Sequence, residues 1–127
     1  MSTGGESVPA HHAIDYIEIA VTDLDAAKAF YATAFGWSFS DYGPDYAGIQ
    51  GAGREVGGLR RDAEVRAGGP LVILYSEDLE RSVEAVTTAD GTIVEPIYAF
   101  PGGRRFHFAD PAGNELAVWS DRQPAAS

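Results

Sequence analysis

The stretch that decides the fold is Ile14-Asp15-Tyr16-Ile17-Glu18-Ile19-Ala20-Val21-Thr22-Asp23-Leu24-Asp25, which runs on through Ala26 to Gly36. Its first eight residues alternate in polarity and favour extended backbone, so they predict a strand. Ile17, Ile19 and Val21 fall on one face and Tyr16, Glu18 and Ala20 on the other. Thr22 or Asp23 then offers a side-chain oxygen to the free amides of a helix start, and acidic groups suit that positive end. From Leu24 the apolar residues Ala27, Tyr31, Ala34 and Phe35 recur at helical spacing. Gly36 stops the helix because it tolerates a left-handed conformation. Trp37-Ser38-Phe39-Ser40 alternates as a second strand. Turn residues Tyr42-Gly43-Pro44-Asp45 lead into shorter strands near Tyr46–Gln50 and Glu55–Leu59.

The same outline returns later in the chain. Laying Asp23-Leu24-Asp25 over Asp78-Leu79-Glu80 places Ala34 over Ala89 and Gly36 over Gly91 without a gap. Leu71-Val72-Ile73-Leu74-Tyr75 reads as a buried strand, and Leu79, Val83 and Val86 give the next helix its apolar stripe. Strands follow at Thr92–Ile97, Arg104–Ala109 and Glu115–Ser120, punctuated by Pro101-Gly102-Gly103 and Asp110-Pro111-Ala112-Gly113. Each copy is therefore strand, helix and three strands. The expected organisation is a flexible arm over 1–12, a first module over 13–66, a second over 67–121 and a tail over 122–127. Gly68-Gly69-Pro70 reads as the link between the modules. The fold class is α+β.

Composition narrows the function. A chain of 127 residues with 45% hydrophobic and 22% charged residues is one ordinary soluble domain. A formal charge of −10 argues against nucleic acid, whose phosphates need Lys and Arg. It would attract cationic partners, although solubility alone also accounts for it. No apolar run is long enough to span a bilayer, so no membrane partner is expected. Met1 to Ala10 lacks the order of a secretory signal, and there is no cysteine. The expectation is a cytoplasmic protein.

The Val-x-Asp-Leu helix start at Val21–Leu24, the Phe30-Tyr31 pair, Gly57-Gly58-Leu59 and the turn Asp110-Pro111-Ala112-Gly113-Asn114, in this order, resemble the vicinal oxygen chelate superfamily. That family holds glyoxalase I, extradiol dioxygenases, fosfomycin-resistance enzymes and bleomycin-binding proteins. The resemblance covers Ile14 to Asp121. It implies two βαβββ modules forming curved mixed sheets around a cleft, often completed by a second copy, hence a homodimer. Metal-dependent members hold a divalent ion that acts as a Lewis acid on two substrate oxygens. Carried over, the first-strand ligand falls on Tyr16, its second-module partner on Leu71 and the last-strand Glu on Ala117. The remaining ligand lies near Gly57-Gly58-Leu59, which carries no imidazole or carboxylate. The expectation is therefore no metal and no cofactor. A relocated site built from Glu18, Glu115 and His107 is the alternative.

With this register, Tyr16, Glu18, Leu71, Ile73, Tyr75, Glu115 and Trp119 line the expected cleft. Such a mixture of apolar surface and few polar groups suits a small molecule. Trp37, Tyr42, Tyr46, Tyr98, Phe100 and Trp119 offer flat faces to a conjugated ring, or else pack as core. A carboxylate on an inner face is costly unless solvated, paired or protonated. Arg104 or Arg105 would neutralise Glu18 or Glu115; otherwise Glu18 is a candidate acid or base, and Glu18 or Tyr16 a candidate proton shuttle. His11 and His12 precede the first strand and belong to the arm. Ser76 reads as a helix-start residue, and no Ser-His-Asp constellation is visible. The function expected is metal-independent binding of a small organic molecule, aromatic or cationic, as in antibiotic sequestration by bleomycin-resistance proteins. The alternatives are a glyoxalase-like lyase or isomerase using Glu18, Tyr16 or a relocated metal, and a degenerate sensor or partner-binding module.

Overall fold

The computed structural model describes residues 9–65 and 68–124. The distal part of the expected arm (1–8), the last residue of the first module with the first of the second (66–67) and the end of the tail (125–127) lie outside the described residues. Elements follow in the order β1 (Ile14–Val21), α1 (Leu24–Phe35), β2 (Phe39–Asp41), β3 (Tyr46–Gln50), β4 (Glu55–Arg61), β5 (Leu71–Tyr75), α2 (Leu79–Thr88), β6 (Thr92–Phe100), β7 (Gly103–Ala109) and β8 (Glu115–Ser120). The class is α+β, and strand-helix-strand-strand-strand occurs twice.

The chain divides into two compact units, one spanning 16–70 and the other 9–15 with 71–124. In the first, the strand order is β2-β3-β4-β1, with β1 and β4 parallel and the other pairs antiparallel. Alternation sends Ile19, Val21, Phe39, Ala47, Ile49 and Leu59 to one face, where they pack with Leu24, Ala27 and Tyr31 of α1. Asp23 caps α1 by accepting from the Ala26 amide at 3.0 Å, and Gly36 closes it at φ 73°. The expected apolar stripe turns away from the sheet after Tyr31: Phe35 is 65% exposed. Trp37 takes the vacated position by stacking on Tyr31, with ring centroids 4.6 Å apart.

In the second unit the order is β5-β8-β7-β6, with β5 and β8 parallel and the remaining pairs antiparallel. Leu79, Val83 and Val86 of α2 meet Leu74, Ile93, Ile97, Phe106, Phe108 and Val118 on one face. Asp78 caps this helix, accepting from the Arg81 amide at 3.1 Å. Ser76 supports that start by accepting from the Asp78 amide and the Ser82 hydroxyl. α2 is two residues shorter than α1, and a non-glycine residue, Asp90 at φ 73°, makes the left-handed exit in place of Gly91. A Cβ on Gly91 would lie 2.6 Å from Val86, so that glycine serves close packing.

Residues 9–15 belong with the second unit. The His12 amide donates to the Tyr75 carbonyl, the Tyr75 amide donates to that of Ala13, and His12 Nε2 lies 3.0 Å from Ser82 Oγ. His11 Nδ1 accepts from the Glu77 amide at 2.8 Å. Both histidines are thus tied to the β5–α2 corner, where burial and the neighbouring His11 lower the pKa of His12.

Leu79 is fully buried, so Leu79→Ala should lower unfolding stability by roughly 2–5 kcal/mol. Asp23→Ala, which removes one cap, should cost about 1 kcal/mol. Urea denaturation followed by circular dichroism checks both, and equal losses would contradict the assignment of core and cap.

Candidate functional site

Each unit covers one sheet face with its helix and leaves polar and aromatic side chains on the other. In the first unit the helix-free face carries Tyr16 and Glu18 from β1, Tyr46 and Gly48 from β3, and Gly58 from β4. Cross-strand register aligns Glu18 with Gly58 and Gly58 with Gly48. A Cβ on Gly58 would lie 1.9 Å from the Tyr46 hydroxyl oxygen, and one on Gly48 2.2 Å from Glu55 Oε1. These two glycines therefore leave the space that Tyr46 and Glu55 occupy.

Above this floor runs a continuous hydrogen-bonded chain. Tyr42 donates to Glu55 Oε1 at 2.6 Å and Tyr16 donates to Glu55 Oε2 at 2.8 Å. Tyr46 donates to Glu18 Oε2 at 2.9 Å, and the Tyr16 and Tyr46 oxygens are 2.9 Å apart. Both carboxylates thus accept from phenols, which are donors while protonated. Burial, then the bond to Tyr46, pushes the Tyr16 pKa far above the usual phenol range. Burial and the Glu18 carboxylate raise that of Tyr46, and the bond to Glu55 raises that of Tyr42. Tyr16 and Tyr46 stay protonated donors, and Glu18, with 7% of its surface exposed, sits at the end of the chain.

The second unit's helix-free face has a different character. Register places Tyr75, Trp119, Arg105 and Tyr98 in one row across all four strands. The Trp119 ring lies 5.2 Å from that of Tyr75 and 6.3 Å from that of Phe100. Trp119 Nε1 donates to Asp15 at 2.9 Å, and Tyr75 donates to Asp121 at 2.6 Å. Burial, followed by that bond, raises the Tyr75 pKa. Next to this row, His107 Nδ1 is 2.9 Å from Glu115 Oε2 and Nε2 is 3.0 Å from the Tyr98 hydroxyl. Arg105 Nε donates to the same hydroxyl at 2.5 Å.

The residues singled out in the sequence thus separate. Tyr16, Glu18, Tyr42 and Tyr46 come together in the first unit. Leu71, Ile73, Tyr75, Phe100, Glu115 and Trp119 belong to the second, where Leu71, Ile73 and Tyr75 are buried. Trp37 joins neither face, because it packs beneath α1. Arg104 pairs with Glu80 and the Arg122 carbonyl, and the Glu80 pKa falls accordingly. Arg105 instead reaches Tyr98. Sequence reasoning missed Glu55 as the centre of the first network, and the joining of Tyr98 to His107. Gly48 and Gly58, glycines inside strands, and Pro96 inside β6 were the available signals of close approach and a bulge.

The donor set does not fit a divalent ion at the family's positions. Leu71 and Ala117 have no donor atom, Gly57-Gly58 none in a side chain, and Tyr16 is a protonated phenol held between Glu55 and Tyr46. Among the described residues no group of three or more His, Asp or Glu side chains gathers to hold a metal. No helix among them is long and apolar enough to cross a membrane.

The tyrosine network makes two predictions. Gly58→Ala should destabilise the protein by roughly 1–3 kcal/mol, and the loss should shrink in a Tyr46→Ala background because the clash is shared. The raised phenol pKa values leave stability unchanged below the ordinary phenol value of 10.0 and lower it above. In that range the unfolded chain ionises while the folded state keeps both protons. Ultraviolet titration should show Tyr16 and Tyr46 silent until alkaline unfolding, and Tyr16→Phe should flatten the decline.

Known proteins agree with this architecture. Residues 13–118 match the family described as the Glyoxalase/Bleomycin resistance protein/Dioxygenase superfamily. A putative glyoxylase, CFP32, of Mycobacterium bovis is 25% identical over 118 residues, covering 83% of this chain and 44% of that protein. The chain thus spans less than half the length of that curated relative. The Mn(II)-bound glyoxalase from Novosphingobium aromaticivorans aligns at TM-score 0.66 and 26% identity, over 93% of this chain and 44% of that one. A Streptomyces coelicolor methylmalonyl-CoA epimerase shares the fold at TM-score 0.63 and 16% identity, with 93% and 100% covered. The chain belongs to the Glyoxalase/Bleomycin resistance protein/Dioxygenase superfamily.

Proposed function

We propose that this chain binds a small organic molecule without a metal ion, on a helix-free face rich in phenols and carboxylates. The ligand class is an aromatic or cationic natural product, and sequestration of the bleomycin-resistance kind is the biological reading. The observation that carries it is the chain Tyr42, Glu55, Tyr16, Tyr46 and Glu18, which gathers two carboxylates and three phenols on one face. Carboxylates on such a face attract ligand N–H or O–H groups, which form charge-assisted hydrogen bonds. The surplus of negative charge on the whole chain adds long-range attraction for a cation.

A glyoxalase-like lyase or isomerase working through Tyr16 draws less support. Its hydroxyl is held by two partners, and its raised pKa keeps it from acting as a base near neutrality. A homodimer remains part of the reading. Phe30 and Phe35 of α1, with rings 6.3 Å apart, stand 58% and 65% exposed and supply apolar surface for a second copy.

Titration calorimetry with metal-free bleomycin in excess EDTA tests the proposal. One-to-one binding unaffected by the chelator is expected, weakened about tenfold or more in Glu18→Gln, a change worth about 1.4 kcal/mol. Binding that appears only after a divalent metal is added would contradict it.

A further inference from the structure

Glu115, His107, Tyr98 and Arg105 form a second polar chain, in the second unit and independent of the tyrosine–carboxylate network. With a neutral imidazole, its protons have one self-consistent arrangement. Arg105 Nε–H can only donate, so the Tyr98 oxygen accepts it. The Tyr98 proton then points to His107 Nε2 at 3.0 Å, and His107 Nδ1–H points to Glu115 Oε2 at 2.9 Å. A carboxylate orients an imidazole, and the imidazole's other nitrogen faces a hydroxyl; this is the geometry that activates a nucleophile. The phenol oxygen keeps one lone pair beyond these two bonds.

The backbone is built to place that phenol. Between Glu95 and Tyr98, β6 advances three residues while β7 advances two, from His107 to Arg105. Pro96, which has no amide proton for the ladder, occupies the irregular stretch. Such bulges redirect a side chain, and here Tyr98 comes over His107, with ring centroids 5.9 Å apart. The Arg105 guanidinium lies 5.6 Å from the centre of the Tyr98 ring.

We propose that Tyr98 is the nucleophile of a metal-independent acyl-transfer site whose substrates are aryl esters. The Tyr98 oxygen attacks the ester carbonyl carbon as its proton passes to His107 Nε2. The bond from that carbon to the aryl oxygen breaks, and the aryl oxide leaves with the electron pair. It takes the proton back from His107 or, where it leaves as a stable anion, His107 gives that proton to solvent, so the imidazole is neutral again. Water then attacks the acyl-tyrosine carbonyl, giving a proton to His107; Tyr98 leaves as phenolate beside Arg105 and recovers that proton. The net reaction is ester plus water to carboxylic acid plus phenol.

Leaving-group chemistry selects the substrate class. A tyrosine phenolate displaces another aryl oxide at little cost, whereas an alkoxide is far too basic a leaving group. Trp119, in the row that holds Arg105, and Phe100 beside it supply flat surface for the departing ring. Tyr98 and His107 are the catalytic residues and Glu115 is a positioning residue.

The test uses 4-nitrophenyl acetate with the full chain in EDTA. A burst of 4-nitrophenolate equal to one per chain is expected, with one acetyl group mapped to Tyr98 by mass spectrometry. Tyr98→Phe should abolish the burst, and His107→Gln should slow it about a hundredfold. Glu115→Gln should slow acetylation while leaving the affinity for 4-nitrophenol, measured by calorimetry, unchanged. Thermal melting shows whether each variant is folded. Acetylation at Lys28 or at serines instead, or a burst that survives Tyr98→Phe, would overturn the proposal. Bleomycin binding is read separately, so either proposal can fail without the other.

Discussion

Side chains alternate along a strand, and everything else in this protein follows from how that alternation is spent. One helix can cover only one face of the strands in its unit. In each unit the covered face takes Ile, Leu, Val and Phe, and excludes water from Leu59 in the first and from Leu79 and Phe106 in the second. The opposite face is then free to carry groups that a core would not tolerate, provided they satisfy one another. Tyr16, Tyr46, Glu18 and Glu55 do so in the first unit, and Glu115, His107, Tyr98 and Arg105 in the second. A net hydrogen bond adds only about 1 kcal/mol, but an orphaned buried partner costs about 1–3 kcal/mol. Such chains hold together as sets.

The two units use one scaffold for different chemistry. The first gathers two carboxylate acceptors and three phenol donors, over glycines that leave them room. The second strings donor and acceptor in a directed line that ends on a guanidinium. In both, the residue that completes the set sits beside a strand irregularity. β4 advances two residues, from Glu55 to Gly57, while β3 advances one, and β6 slips before Tyr98. The bulges supply the offsets that a regular ladder would forbid.

That contrast explains what the sequence disclosed. Strand faces were legible for Tyr16, Glu18, Ile73, Tyr75 and Trp119 because each lies on an unbroken ladder, where counting by two is reliable. Asp23 and Asp78 were legible as caps because capping depends on a few adjacent residues. Glu55 and the Tyr98–His107 contact were hidden, since a bulge resets the count. For Trp37 the sequence left ligand contact and core both open, because it lies between the end of α1 and the start of β2, where neither period applies; it packs as core, stacked on Tyr31. The histidines at 11 and 12 gave no local signal, because their partners Ser82 and Glu77 lie more than sixty residues away.

Hydrogen bonds among side chains organise these helix-free faces. Calorimetric titration of the purified chain with manganese(II) chloride shows whether a divalent ion displaces them. No stoichiometric binding at micromolar concentration is expected, because Leu71 and Ala117 offer no donor atom and the Tyr16 hydroxyl is held between Glu55 and Tyr46. One ion bound per chain with micromolar or tighter affinity, and lost in Tyr16→Phe, would contradict it.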